Sequence, residues 1–275
     1  MKGLERSLGL PYVVAISIAA TVAPIFVLPG IAAKTTGPSI WLAYLLAAVC
    51  VLPAALSKSE LATAMPTSGG TYVYVDRAFG PLVGTVAGLG LWLSFLLKSA
   101  FALVGLGAYL TIMVDVPGRP VALALLVAIV ALNSVGVRKA SQVLLGVSAV
   151  SVTSLLALVV VARVTGPEAP PTEFFQGGAG GFASAAAYVF MSYAGLTKVA
   201  AIAEEVRDPG RNLPRGILLS LAFVAVLYAL VVSTLFAVLP TEALFQDERP
   251  IHTLANVAFG AGPAIGFALI GVVTM

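Results

Sequence analysis

The stretch "AATVAPIFVLPGIAA", residues 19–33, decides how the chain is read. It lies in an almost uncharged apolar run that is long enough to cross a bilayer, which takes a helix of about 20 residues. Yet it holds Pro24 and Pro29. A proline has no backbone N–H, and its ring collides with the carbonyl one turn back, at a cost of about 3 kcal/mol in a helix interior. In hydrocarbon the freed carbonyls have no water to turn to, so neighbouring groups must satisfy them. A simple kink is one reading. The other is an unwound segment at mid-membrane whose free backbone groups face a ligand. What separates them is whether a second helix, in the matching position of a second repeat, is also interrupted.

The surrounding composition supports a membrane setting. Of 275 residues, 60% are hydrophobic and 10% charged, whereas a soluble domain is about half apolar and a quarter charged. The expectation is an all-α, polytopic membrane protein. Cys50 is the single cysteine and His252 the single histidine, which excludes a disulfide framework and the usual zinc ligand sets. No metal site or cofactor is expected. There is no nucleophile–base pair and no phosphate loop, so the chain does not read as an enzyme or as an ATP-driven pump. No nucleic-acid partner is expected; membrane lipid is.

Apolar runs separated by polar breaks place spans near 11–33, 39–64, 82–112, 119–136, 141–163, 181–203 and 214–239, with an eighth over 262–275. The N-terminus, charged but without a clean cleavage site, reads as leading into a retained first span. With that end in the cytoplasm, Lys2, Arg6, Lys58, Arg77, Arg138, Lys139, Arg207, Arg211 and Arg215 lie inside, and Lys34, Arg119, Arg163 and Arg249 outside. The excess inside supports this orientation. Two connections stand out. "MPTSGGTYVYVDRAFGP" (65–81) has a Gly69-Gly70 pair suited to a tight turn and then a segment suited to an interfacial helix. Residues 240–263 mix polar and apolar residues, as a re-entrant or surface helix would.

The second interruption is in span 6, at Ser192-Tyr193-Ala194-Gly195-Leu196. Glycine permits non-helical backbone there, although small residues also serve simple helix packing. Spans 1 and 6 are five apart and run in opposite directions, the pattern of an inverted-repeat transporter. Lys98, midway along span 3, and Lys198, three residues past Gly195, lie within the membrane. An intramembrane lysine is a functional-site hypothesis by default, at roughly 2.5–3.5 kcal/mol on insertion scales. Both are candidates for substrate binding or proton coupling; a hydrogen bond to a freed carbonyl is the plainer alternative. In "AEEVRDPGRNLPRG" (203–216), Glu204, Glu205 and Arg207 are candidates for a cytoplasmic gate, against the plainer reading of a solvated charged loop.

These motifs, in this order, resemble the amino acid–polyamine–organocation transporter superfamily. The resemblance rests on "IFVLPG" (25–30), "SELATAMPTSGGTYVYVDRAFGP" (59–81) and "SYAGLTKVAAIAEEVRDPGRNLPRG" (192–216), and covers essentially the whole chain. It implies a LeuT-like five-plus-five inverted repeat, here incomplete, with the first repeat and part of the second over residues 1–275. It implies secondary transport of an amino acid across the plasma membrane by alternating access, through proton symport or exchange. The alternatives are a polyamine or organic amine transporter, or a non-transporting truncated membrane protein. Carried over by position, helix 1 contacts to substrate fall on Val22, Ala23, Pro24, Ile25 and Phe26, and helix 6 contacts on Tyr193, Ala194, Gly195, Leu196 and Thr197.

Three departures accompany the resemblance. The family usually has Gly-X-Gly where this chain has Val22-Ala23-Pro24, so an N–H for the substrate carboxylate is missing. Proton-coupled members often carry a lysine in helix 5, where this chain has Ser151. The chain also stops inside the eighth span, so a fragment, or a protein whose missing helices come from a second chain, is expected.

Overall fold

The computed structural model describes residues 6, 8–67, 69–110, 118–134, 137–245 and 247–275. Lys2, Ser68, the span ends 111–112 and 135–136, and the side chains of Arg119, Arg138 and Lys139 lie outside what it describes. Helices account for nearly all of the ordered backbone, and no strand is formed among the described residues.

The first apolar run is broken into α1 (Leu10–Val22), a 3₁₀ turn (Ala23–Phe26) and α2 (Leu28–Thr36). The second helix, α3 (Ile40–Ala64), tolerates Pro53 in its interior. A short α4 (Thr71–Phe79) follows the Gly69-Gly70 turn, whose φ values of 118° and 52° are ones only glycine adopts cheaply. Then come α5 (Pro81–Leu110), α6 (Gly118–Ser134) and α7 (Val137–Thr165). The sixth run is α8 (Gly178–Phe190) continued by a 3₁₀ helix (Met191–Glu205) with non-helical dihedrals at Ile202. The kink at Ile202 divides this stretch into two helical pieces. The chain ends with α9 (Pro209–Val238), α10 (Thr241–Leu244), α11 (Pro250–Phe259) and α12 (Ala261–Thr274).

Among the described residues, five helical stretches are long and apolar enough to span a bilayer, including Pro81–Gly107 and Pro209–Val238. Along α5 the side chains of Leu82, Val86, Leu89, Trp92, Leu96 and Leu97 are exposed, as suits a face turned to lipid. The core lies elsewhere. Helix α9 packs on α3 and α1, and the 191–205 helix packs on all three. Between them Tyr44, Tyr193, Tyr228, Leu196, Leu213 and Ile217 are fully buried or nearly so. Both interrupted helices therefore sit against one packed centre.

Outside the membrane-crossing helices, two devices hold the broken helices. At the far end of α2, Ser39 N donates to Phe174 O (3.0 Å) and Gln176 N to Thr36 O (3.2 Å), so the approach to α8 docks on the end of helix 1. Near residue 30, the backbone of Asp247 presses on Gly30 so closely that a Cβ there would lie 1.8 Å from its carbonyl oxygen. Asp247 also starts α11, accepting from Arg249 N (2.8 Å) and Thr253 Oγ1 (2.7 Å).

Candidate functional site

The prolines determine which backbone groups of helix 1 are free. Pro24 has no N–H to give to the carbonyl of Ala20, four residues earlier, and the helix turns into 3₁₀ at that point. Three carbonyls around the break are met by side chains from other helices. Lys98 Nζ on α5 donates to Ala20 O (3.2 Å). Tyr228 Oη on α9 donates to Thr21 O. Tyr109 Oη on α5 donates to Phe26 O (2.8 Å), and its ring meets Phe26 edge-on at 6.0 Å. Neighbouring helices thus supply what a proline break requires in hydrocarbon.

The break in helix 6 lies against the same place. Gly195 packs on α1 so tightly that a Cβ would stand 1.9 Å from Ala20 O and 2.5 Å from its carbonyl carbon. Here glycine is needed for close approach of two backbones, independent of its dihedral freedom. Ala20 O is thus a crossing point, touched by the glycine of one break and the lysine of span 3. Next to it is a tyrosine cluster. Tyr193 Oη donates to Tyr44 O (3.1 Å), and the Tyr228 ring lies 4.9 Å from that of Tyr44 and 5.4 Å from that of Tyr193. Tyr44 Oη and Ser192 Oγ are buried in this cluster without a well-formed hydrogen bond among the described residues.

Of the ten positions carried over for substrate contact, Val22, Ile25, Phe26, Tyr193, Gly195 and Leu196 are buried. Ala23, Pro24 and Thr197 are half-buried, and Ala194 is exposed. A crevice of about 40 Å³ opens beside Ala23, Pro24, Val27 and Lys98. It has room for two or three waters or a carboxylate group, far below the several hundred Å³ of a whole small-molecule pocket. The two breaks are in contact at Ala20 and Gly195, and the crevice lies on the other side of the first break, against α5 and the end of α12.

Lys98 and Lys198 both border the paired breaks. Lys198 Nζ sits 4.7 Å from the centre of the Phe95 ring, a cation–π arrangement. Neither has a carboxylate partner among the described residues. A third lysine, Lys58 on α3, was counted from the sequence as part of the cytoplasmic charge. The structure brings its Nζ onto Thr197 Oγ1 (2.9 Å), tying α3 to the end of the break. Its signal was its distance from the helix end: it lies six residues before Ala64, the last residue of α3. The tyrosines at positions 44, 109 and 228 were also missed, although a hydroxyl in an apolar run must find a partner somewhere.

The gate candidates Glu204, Glu205 and Arg207 lie where helix 6 meets the start of the chain. The main chain makes contact there. Leu8 N donates to Glu205 O (3.0 Å) and Arg207 N to Leu8 O (2.8 Å), an isolated parallel bridge of Leu8 with Val206. The Arg207 side chain adds Nε to Arg6 O (3.0 Å). The segment just before α1 is thereby fastened beneath the 191–205 helix.

Comparison with known proteins bears on the whole of this arrangement. The model of one family, described as amino acid permease, matches residues 13–272. An uncharacterized transporter of Mycobacterium tuberculosis is 34% identical over 259 residues, which is 93% of this chain and 58% of that protein. A branched-chain amino acid permease of Bacillus subtilis is 29% identical over 99% of this chain and 63% of its own length. A chloroplastic cationic amino acid transporter of Arabidopsis thaliana is 30% identical over 83% and 44% respectively. The chain thus spans between 44% and 63% of the length of these relatives.

Proposed function

The chain belongs to the amino acid permease family, and from that premise we propose that it serves secondary, alternating-access transport of a neutral amino acid, by proton symport or exchange. The observation that carries this reading is the meeting of two interrupted helices at Ala20 and Gly195, with the carbonyls of the first break met by side chains from three other points of the fold. Two half-helices in contact at membrane depth form the arrangement from which such transporters bind and release solute. In this reading the substrate separates the breaks, contacting residues 22–26 on one side and 193–197 on the other. The Leu8–Val206 bridge closes the cytoplasmic end, with Glu204, Glu205 and Arg207 around it. The membrane is the plasma membrane and the N-terminus is cytoplasmic, in accord with the basic residues placed inside.

Among substrates, the names of the relatives include both branched-chain and cationic amino acids. Two lysines at membrane depth favour the neutral class over cationic amino acids and polyamines. Lys98 and Lys198 are also the candidates for carrying a coupling proton. The test is uptake by the full-length protein in liposomes, with a radiolabelled panel of neutral, cationic and acidic amino acids and a polyamine. Uptake of neutral amino acids is expected; a protein that moves only polyamine, or no solute at all, overturns the reading. Unchanged pH dependence of uptake in both Lys98→Met and Lys198→Met ends the coupling role.

A further inference from the structure

Away from both breaks, three helices meet near one face of the membrane. Trp41 is the second residue of α3, Ser233 lies five residues before the end of α9, and Arg163 two before the end of α7. Between α3 and α9 runs an apolar groove of about 360 Å³, walled by Trp41, Leu45, Val226, Ala229, Leu230 and Ser233. Val226 and Leu230 are exposed along it, as suits a surface met by acyl chains. At Ser233 the chemistry changes. Arg163 Nη2 donates to Ser233 Oγ and Nε to Thr234 Oγ1, both at 3.0 Å. These two hydroxyls hold the guanidinium across α9 and occupy two of its five N–H donors. The others are free, and Arg163 forms no ion pair among the described residues. On its far side is a second hollow of about 310 Å³, which Arg163 lines together with Glu168, Gly166 and Ala237. Its floor is fixed, because Ala169 N donates to Ala237 O (2.9 Å).

We propose that this surface binds a phospholipid with an amine headgroup: an acyl chain fills the α3–α9 groove, the phosphate accepts from Arg163, and the headgroup ammonium faces Glu168. The parts follow the order of the lipid itself, first an apolar channel, then a cation, then an anion. A guanidinium suits phosphate because its donors lie parallel in one plane. A tryptophan at the boundary of hydrocarbon and headgroups is the usual anchor there, and Trp41 is steadied edge-on by Phe174 at 6.5 Å. Phosphatidylglycerol would satisfy Arg163 but bring no cation to Glu168, and diacylglycerol would satisfy neither. The site joins α3, α7 and α9. Its residue Ala229 directly follows Tyr228, the donor to Thr21 O at the first break, so a bound lipid would brace the helix that supplies that donor. None of this depends on which solute is carried or on what drives it.

Tryptophan quenching tests it. Residues 1–275 hold two tryptophans, Trp41 in the groove and Trp92 exposed on α5. In the full-length protein, with any others replaced by phenylalanine, Trp92→Phe leaves Trp41 to report on the site and Trp41→Phe leaves Trp92 to report on bulk lipid. Each protein is placed in phosphatidylglycerol bilayers containing a minor fraction of phosphatidylethanolamine or diacylglycerol with brominated acyl chains, which quench a tryptophan they touch. At Trp41, phosphatidylethanolamine should be favoured over the host about two- to fivefold, the range one exposed charge pair allows, and diacylglycerol disfavoured. At Trp92 neither preference should appear. Glu168→Gln should remove the preference for phosphatidylethanolamine and leave diacylglycerol disfavoured, whereas Arg163→Gln should remove the discrimination against diacylglycerol. Equal preferences at the two tryptophans with Arg163 and Glu168 intact overturn the inference, even if the variants fail to fold. So does a Trp41 that no brominated lipid quenches, and so do unaltered preferences in a folded Arg163→Gln.

Discussion

Replacing Gly195 by alanine tests the contact on which the site is built. The new Cβ would lie 1.9 Å from Ala20 O and 2.5 Å from Ala20 C, both backbone atoms that cannot rotate away. Cβ contacts closer than 3.0 Å are essentially never seen, so the two helices must part by more than an ångström. Overpacking of this kind typically costs about 1–3 kcal/mol. For a chain of this size each kcal/mol lowers the unfolding midpoint by roughly 2–4 °C. Separation also moves Ala20 O away from Lys98 Nζ, whose 3.2 Å hydrogen bond has little length to spare. Gly90→Ala is the matched control. Gly90 is exposed on α5 with nothing within 4 Å of a new Cβ, so alanine there should be neutral or stabilising by up to about 1 kcal/mol. Thermal unfolding of the purified protein and uptake in liposomes should both fall for Gly195→Ala and hold for Gly90→Ala. Equal melting and equal uptake in the two variants would refute the close crossing of the breaks.

Other consequences follow from the same geometry. Lys58→Met and Thr197→Val should each reduce stability, and the double variant should fall short of their sum by about 0.5–1.5 kcal/mol, the net worth of one hydrogen bond; strict additivity would mean the bond is not made. Tyr228→Phe leaves the carbonyl of Thr21 without its side-chain donor and should cost about 1–3 kcal/mol, whereas Tyr188→Phe, exposed on α8, should cost almost nothing. His252 on α11 is held below its ordinary value of 6.5 by burial first and by Arg249 second, with Asp247 opposing. Folding therefore favours the neutral ring, so stability is full above that value and declines as the pH falls below it. His252→Gln should flatten that acid-side decline in melting temperature; an unchanged slope would remove His252 from the account.

The sequence made the fold class legible because apolar length and the placement of charge are direct consequences of the bilayer. The breaks were legible too, since proline and glycine change what a backbone can do wherever they stand. The partners of the breaks were not. That Lys98 serves Ala20 O, and that Tyr109 and Tyr228 serve Phe26 O and Thr21 O, depends on which helices face each other. Those pairings are separated by 78 to 207 residues and carry no local pattern. The partner of Lys58 was hidden for the same reason, since its side chain reaches Thr197 on another helix. The gate candidates were identified by their charges, and the structure adds a main-chain bridge there through Leu8 and Val206, which any residue types could form.

The central claim is that an amino acid binds between the two breaks, and cysteine protection tests it most directly. Cys50, exposed and the only native cysteine, would be replaced by serine. Single cysteines would then be placed by Ala23→Cys, Thr197→Cys and, away from the site on exposed α7 surface, Val160→Cys. Alkylation by a small maleimide would be timed in the full-length protein with and without a saturating transported amino acid. The account predicts slower labelling at positions 23 and 197 and no change at 160. Identical rates at all three positions, with substrate uptake intact, would contradict it.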